Sequence, residues 1–174
     1  RASFEELGPT FVKLGQLLST RTDLLHEELT SDLVKLQDNV QSLSFDVVQK
    51  VIETELKRDL KTAFQRVDRE PLASASIAQV HSAELYTGEK VVIKVQRPDI
   101  KKTIETDISL LNFLAKLLER YVPESRMIQP SIIVDEFFRT LSLELDFLVE
   151  ANNITKMAQN FEDFEGIVIP AVFS

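Results

Sequence analysis

The run VVIKV, Val91 to Val95, sets a single lysine inside an apolar stretch. On a strand, alternate side chains face opposite ways. Val91, Ile93 and Val95 therefore share one face, and Val92, Lys94 and Gln96 share the other. An unpaired ammonium is costly to bury, so Lys94 must either reach water or meet an anion. Two readings follow: an edge lysine that discourages aggregation, or a cation kept for an anionic ligand. V-x-I-K is too short a pattern to separate them.

Three other stretches carry residues of chemical interest. In LSLELDFLVEANN, the acids Glu144, Asp146 and Glu150 stand among Leu143, Leu145, Phe147, Leu148 and Val149. On one continuous helix Asp146 and Glu150 share a face, and Glu144 lies about 200° round from Asp146. An amphipathic helix with an acidic edge is the plainer reading. In TFVKLGQLLSTR, Lys13, Gln16 and Thr20 form a polar strip opposite the stripe Leu7, Phe11, Leu14 and Leu18. Gly15 inside that helix costs roughly 1 kcal/mol relative to alanine, which close approach of a backbone or ligand would offset. In PLASASIAQVH, Ala73 to Ala78 form a loop that carries no glycine.

These stretches need elements to hold them. The stripe from Leu7 begins a helical region that extends to about Phe64. A second helix lies around Glu27 to Asn39, and a third follows Ser44 with Val47, Val48, Val51, Ile52 and Leu56. Residues 66 to 96 are rich in β-branched residues, and Thr87-Gly88 marks a hairpin. A long helix is expected from about Asp99 to Val122, with the stripe Ile104, Ile108, Leu111, Ala115, Leu118 and Val122; Pro123 stops it. A further long helical stretch is expected from Ser131 to Phe161. After a break at Gly166, a final strand should run from Ile167 to Phe173. The order of helices, hairpin, helices and strand predicts an α+β domain that is mostly helical.

The 174 residues, 44% of them hydrophobic, suffice for one ordinary domain or two small ones. A net charge of −8 and the lack of a basic run exclude a nucleic-acid surface. With no cysteine there is neither a disulfide nor a thiolate metal site. His26 and His81 offer no metal-ligand spacing, and no metal site is assigned to this chain. No transmembrane run is visible. The chain opens at Arg1 and closes on GIVIPAVFS, which suggests a piece of a longer protein.

Four motifs occur in one order: KLGQ at Lys13 to Gln16, ASASIAQVH at Ala73 to His81, VVIKVQRP at Val91 to Pro98, and ELDFLVEA at Glu144 to Ala151. Together they closely resemble the UbiB-like family of atypical kinases, proteins tied to ubiquinone and other isoprenoid-lipid metabolism. The resemblance covers essentially the whole chain. It implies a kinase-like N-terminal lobe, a small antiparallel sheet with long helices, at residues 65–174, preceded by a helical extension at residues 1–64.

The resemblance also implies roles. Lys94 matches the strand lysine that grips nucleotide phosphates, and Glu150 the helix glutamate that pairs with it. Glu144 and Asp146 match the ExD acids, while Lys13 and Gln16 match the KxGQ residues that fold over the site. Ala73, Ser74, Ala75, Ser76, Ile77 and Ala78 match an alanine-rich loop that replaces the glycine-rich one. The span from Lys94 to Glu150 is wider than in an ordinary kinase, and the helix after Asp99 accounts for it. The implied cofactor is ATP or ADP with Mg. The implied partners are isoprenoid-lipid or membrane-associated biosynthetic proteins, at the cytoplasmic side of a membrane or in the cytoplasm of a bacterium, or in an organelle of a eukaryote. The catalytic-loop and metal-binding residues of a kinase belong to its second lobe, so this chain alone is expected to be inactive. A competing expectation is a helical partner- or membrane-docking module with a vestigial nucleotide site.

Overall fold

The computed structural model describes residues 7–20, Leu33 and residues 41–173. The expected helix around Glu27 to Asn39 lies outside the described residues, apart from Leu33. The chain forms two compact units, one ending at Leu110 and the other beginning at Leu111.

In the first unit, helix α1 (Pro9–Ser19) starts at Gly8, whose φ of 101° suits a residue without a side chain, and Pro9 occupies the first helical turn. Its buried residues are Thr10, Val12 and Gly15. The expected stripe is only partly realised: Phe11, Leu14 and Leu18 are half-buried, and Leu7 is exposed. Thr10 Oγ1 donates to Asp107 Oδ2, so the buried hydroxyl has a charged acceptor.

Helix α2 (Phe45–Leu56) follows Ser44, as the sequence predicts, and a short helix α3 (Leu60–Ala63) comes next. The strands are β1 (Arg66–Val67), β2 (Ala73–Ser74), β3 (Ala78–Glu84) and β4 (Lys90–Gln96). All pair antiparallel with β3. The β3–β4 turn contains Gly88 at a φ of 97°, the conformation that the Thr87-Gly88 signal requires. One sheet face meets α2, where Val48, Ile52, Leu60 and Val95 form a core lined by Phe45, Val51, Phe64, Val67 and Ile93.

The long helix α4 (Ile100–Tyr121) matches its expected span. Ile104, Ile108 and Ala115 are buried, whereas Leu118 and Val122 at the distal end of the expected stripe are exposed. A 3₁₀ turn, Pro123–Met127, then leads to α5 (Pro130–Leu145), which buries Val134, Phe137 and Leu141.

Two expectations are corrected. The stretch from Ser131 to Phe161 is two helices, α5 and α6 (Phe147–Asn160), which meet at Asp146. Asp146 has extended backbone angles, and its carboxylate accepts from the Leu148 amide at 3.0 Å, capping α6. Helical-wheel angles therefore cannot relate Asp146 to Glu144 or Glu150. Residues 167–173 also form no strand. An extended segment becomes a strand only when another pairs with it, and none does so among the described residues. The turn at Gly166, with a φ of 87°, is present as expected. Among the described residues, no helix is long and apolar enough to cross a membrane.

Candidate functional site

Strand register places Lys94. Val80 on the central strand pairs with Lys94 on β4 and with Ala73 on β2, so the three form one row across the sheet. Cross-strand partners share a face, and this row lies on the side opposite the α2 core. On the same face, the rows on either side of it pair Ser82 with Val92 and Ala78 with Gln96. Val92 is 66% exposed, and Lys94 is exposed beside it. The expected alternation holds throughout β4, with Val95 buried and Val91 and Ile93 half-buried on the core side. The lysine is thus an exposed cation on the sheet face opposite the α2 core, beside the aliphatic side chains of Val80 and Val92.

The alanine-rich segment forms the edge of this face. Ala73 and Ser74 make up β2, Ala75 to Ile77 turn the chain, and Ala78 starts β3. The turn is closed by the Ala75 amide, which donates to the Ala78 carbonyl at 2.8 Å. The described non-glycine residues with positive φ are Lys57, Asp99 and Gln129, so the turn is made without the left-handed conformation that favours glycine. Ser76, Ile77 and Ala78 are buried. The Ser76 hydroxyl is buried with no hydrogen-bond partner, which leaves a polar group unsatisfied at the loop tip.

Beneath the loop, the core face carries polar residues. Gln79 and His81 are both fully buried. His81 Nδ1 lies 2.8 Å from the Asp68 carbonyl, which can only accept, so the hydrogen sits on Nδ1 and Nε2 is an acceptor. Gln79 Nε2 donates to His81 Nε2 at 2.9 Å and to the Leu43 carbonyl at 3.3 Å. Gln79 Oε1 accepts from the Leu43 amide at 2.8 Å and from Ser74 Oγ at 3.4 Å. Every donor and acceptor of this buried amide is thereby used. Arg97 completes the group: its Nε donates to the Ala75 carbonyl, and its Nη2 to Ser74 Oγ and the Gln41 carbonyl, each at 2.9 Å. Partial burial pulls the Arg97 guanidinium below its ordinary pKa. Phe45 packs edge-on to the His81 ring, with centroids 5.9 Å apart.

The sequence-derived site residues fall in both units. Lys13 and Gln16 lie on α1, half-buried, and Gly15 between them is buried. With Lys94 and Ala73 to Ala78 they belong to the first unit. Glu144 stands at the end of α5, Asp146 at the helix junction and Glu150 in the first turn of α6; all three are exposed and belong to the second unit. Sequence reasoning missed Gln79 and Arg97. The available signal was that Gln79 and His81, two apart on a strand, share a face with Ala83 and not with Val80.

The ABC1 atypical kinase-like domain matches residues 35–174. The chain is 42% identical over 173 residues to the "Probable protein kinase UbiB" of Pseudomonas fluorescens, covering 99% of this chain and 32% of that protein. The protein of the same name from Aeromonas hydrophila is 43% identical, covering all of this chain and again 32% of the relative. The chain thus spans about a third of the length of these relatives. Among solved structures, Rv3197 of Mycobacterium tuberculosis, determined as a complex with erythromycin, matches with a TM-score of 0.66 and 26% identity, over 93% of this chain and 40% of the other.

Proposed function

The chain belongs to the ABC1 atypical kinase-like family, and from that premise we propose that it supplies the nucleotide-holding half of a longer atypical kinase or ATPase. One observation carries this reading. Lys94, an exposed cation on the sheet face opposite the α2 core, lies in the same cross-strand row as Val80 and Ala73, with exposed Val92 beside it. A positive charge next to exposed aliphatic surface suits a ligand with a flat apolar part and an anionic tail, and a nucleotide has both. The residues present fit such a group. Lys94 would hold its phosphates, Val80 and Val92 would cover its base, and the loop from Ala73 to Ala78 would border it.

ATP with Mg, when bound, supplies the transferable phosphoryl group. The chain's own contribution is to bind and orient. By resemblance, Glu150 matches the glutamate that pairs with such a lysine in a kinase, Glu144 and Asp146 match the ExD acids, and Lys13 and Gln16 match the KxGQ residues. Support for ubiquinone or another isoprenoid lipid as the pathway served comes from the sequence resemblance.

The test is thermal unfolding of the full-length protein with Mg-ATP and Mg-ADP. A ligand at about 100 times its dissociation constant stabilises the folded state by about 2.7 kcal/mol. A raised midpoint that Lys94→Met abolishes supports the reading; no shift in a well-folded wild type refutes it. A second reading, a docking module with a vestigial site, draws on the exposed Phe113, Leu117 and Tyr121 of α4, and it requires that no nucleotide shift be seen.

A further inference from the structure

A hairpin linking two strands usually obtains its turn from residues with positive φ, most often glycine or asparagine. The β2–β3 connection has neither, and its residues keep negative φ. Something else must define its path. The carbonyls on either side of the tip are both held by one residue: Ala75 O accepts from Arg97 Nε at 2.9 Å, and Ile77 O from the Arg97 amide at 3.0 Å. The same guanidinium reaches Ser74 Oγ and the Gln41 carbonyl. Gln79 then fastens Leu43 by both its amide and its carbonyl. Residues 41–43 and the alanine-rich loop are therefore joined by side chains from β3 and from the end of β4. Pro98, directly after Arg97, restricts the backbone from which the guanidinium projects.

We infer that Arg97 and Gln79 are positioning residues for the alanine-rich loop, fixing by side-chain hydrogen bonds a path that glycine would otherwise make, and locking it to residues 41–43. The inference rests on the nucleotide reading of the loop, since the position matters for function only if a ligand meets it. A planar fork is required. Three separate acceptors are served from a single guanidinium, and an ammonium at the same place offers one point of charge. Residues 41–43 and the loop consequently shift together: the loop can stay behind only when the Gln41 and the Leu43 bonds are both broken.

The experiment uses the full-length protein and two variants, Arg97→Lys and Ser74→Ala. Ser74→Ala removes one arm of the fork without disturbing the charge, and it serves where the arginine variant folds poorly. Amide hydrogen exchange at Ala75 and Ala78 is measured alongside dissociation constants for Mg-ATP and Mg-ADP. Loss of a hydrogen bond to a charged group should quicken local opening by about tenfold or more, while amides of Ile93 and Val95 keep their protection. The ratio of ATP to ADP affinity should change at least about threefold, a readout that a generally weakened fold would not move selectively. Unchanged loop exchange in both variants overturns the inference, and so does an unchanged affinity ratio with nucleotide still bound. Failure of the wild type to bind either nucleotide overturns the nucleotide reading, and the positioning role with it; the wild-type arm alone identifies that case.

Discussion

Replacing Gln79 by leucine keeps most of the side-chain volume and removes the amide from the centre of the buried polar group. Four contacts vanish together: those to the Leu43 amide, the Leu43 carbonyl, His81 Nε2 and Ser74 Oγ. Ser74 retains its bond from Arg97, so its loss is small. The Leu43 amide, its carbonyl and the imidazole nitrogen are left without these partners, and each buried orphan costs about 1–3 kcal/mol. Leucine returns part of this through its apolar surface, and Leu43 is only half-buried, which lets water reach it. The lower end of the range, about 3 kcal/mol in total, is therefore expected. For a chain of this length that corresponds to a fall in melting temperature of roughly 6–12 °C. Thermal unfolding followed by circular dichroism measures it. The companion variant Gln79→Leu/His81→Leu removes two partners at once and should be less destabilised than the sum of the single changes. A single variant within about 1 °C of the wild type would refute the reasoning, since it would mean that these bonds contribute nothing beyond shape.

Further outcomes are expected. Lys94→Met should weaken Mg-ATP binding by the full-length protein at least about tenfold, the worth of a charged hydrogen bond, as read by calorimetric titration. Phe137→Ala should cost about 3–5 kcal/mol in denaturant unfolding, because Phe137 is 1% exposed and leaves a cavity. Ala75→Gly should alter nucleotide preference in a binding competition by freeing a backbone that now keeps negative φ. The Glu53 carboxylate is held below its ordinary pKa by the Leu60 amide and by Gln49. A depressed carboxylate contributes stability above its unfolded pKa and loses it as pH falls through the folded value. Glu53→Gln should therefore flatten the stability profile below about pH 4.5, the carboxylate's ordinary pKa, measured by denaturant midpoints across an acid series.

Much of the fold was legible because its elements follow from short-range rules. Strict alternation in VVIKV gave the two faces of β4, and Pro123 gave the end of α4. The exposed position of Lys94, on the β4 face opposite Val95, was legible for the same reason. The break at Asp146 was not, because LELDFLVE continues its apolar pattern through the junction without glycine or proline. Only an aspartate able to cap marks the place, and aspartate also occurs within helices. The missing strand at residues 167–173 shows a different limit, as β-propensity reports fitness for a sheet and not the presence of a partner. Gln79 and Arg97 escaped because their importance depends on Leu43, Ser74, Ala75 and Gln41, contacts that no periodicity encodes.

The direction of the hydrogen bonds beneath the loop has a consequence for how substitutions combine. From Arg97 through Ser74, Gln79 and His81 to the Asp68 carbonyl, each group donates to the next. Removing Gln79 or His81 from such a relay leaves a buried neighbour without its partner, whereas removing Ser74 leaves Gln79 and Arg97 their other partners. Replacing several members by well-packed aliphatic residues together can be nearly neutral, whereas the intermediate steps are costly. The four positions thus behave as one coupled unit: the effects of changing Gln79, His81 and Arg97 should not add, whereas Ser74, whose neighbours keep other partners, is the member that can be altered alone at least cost.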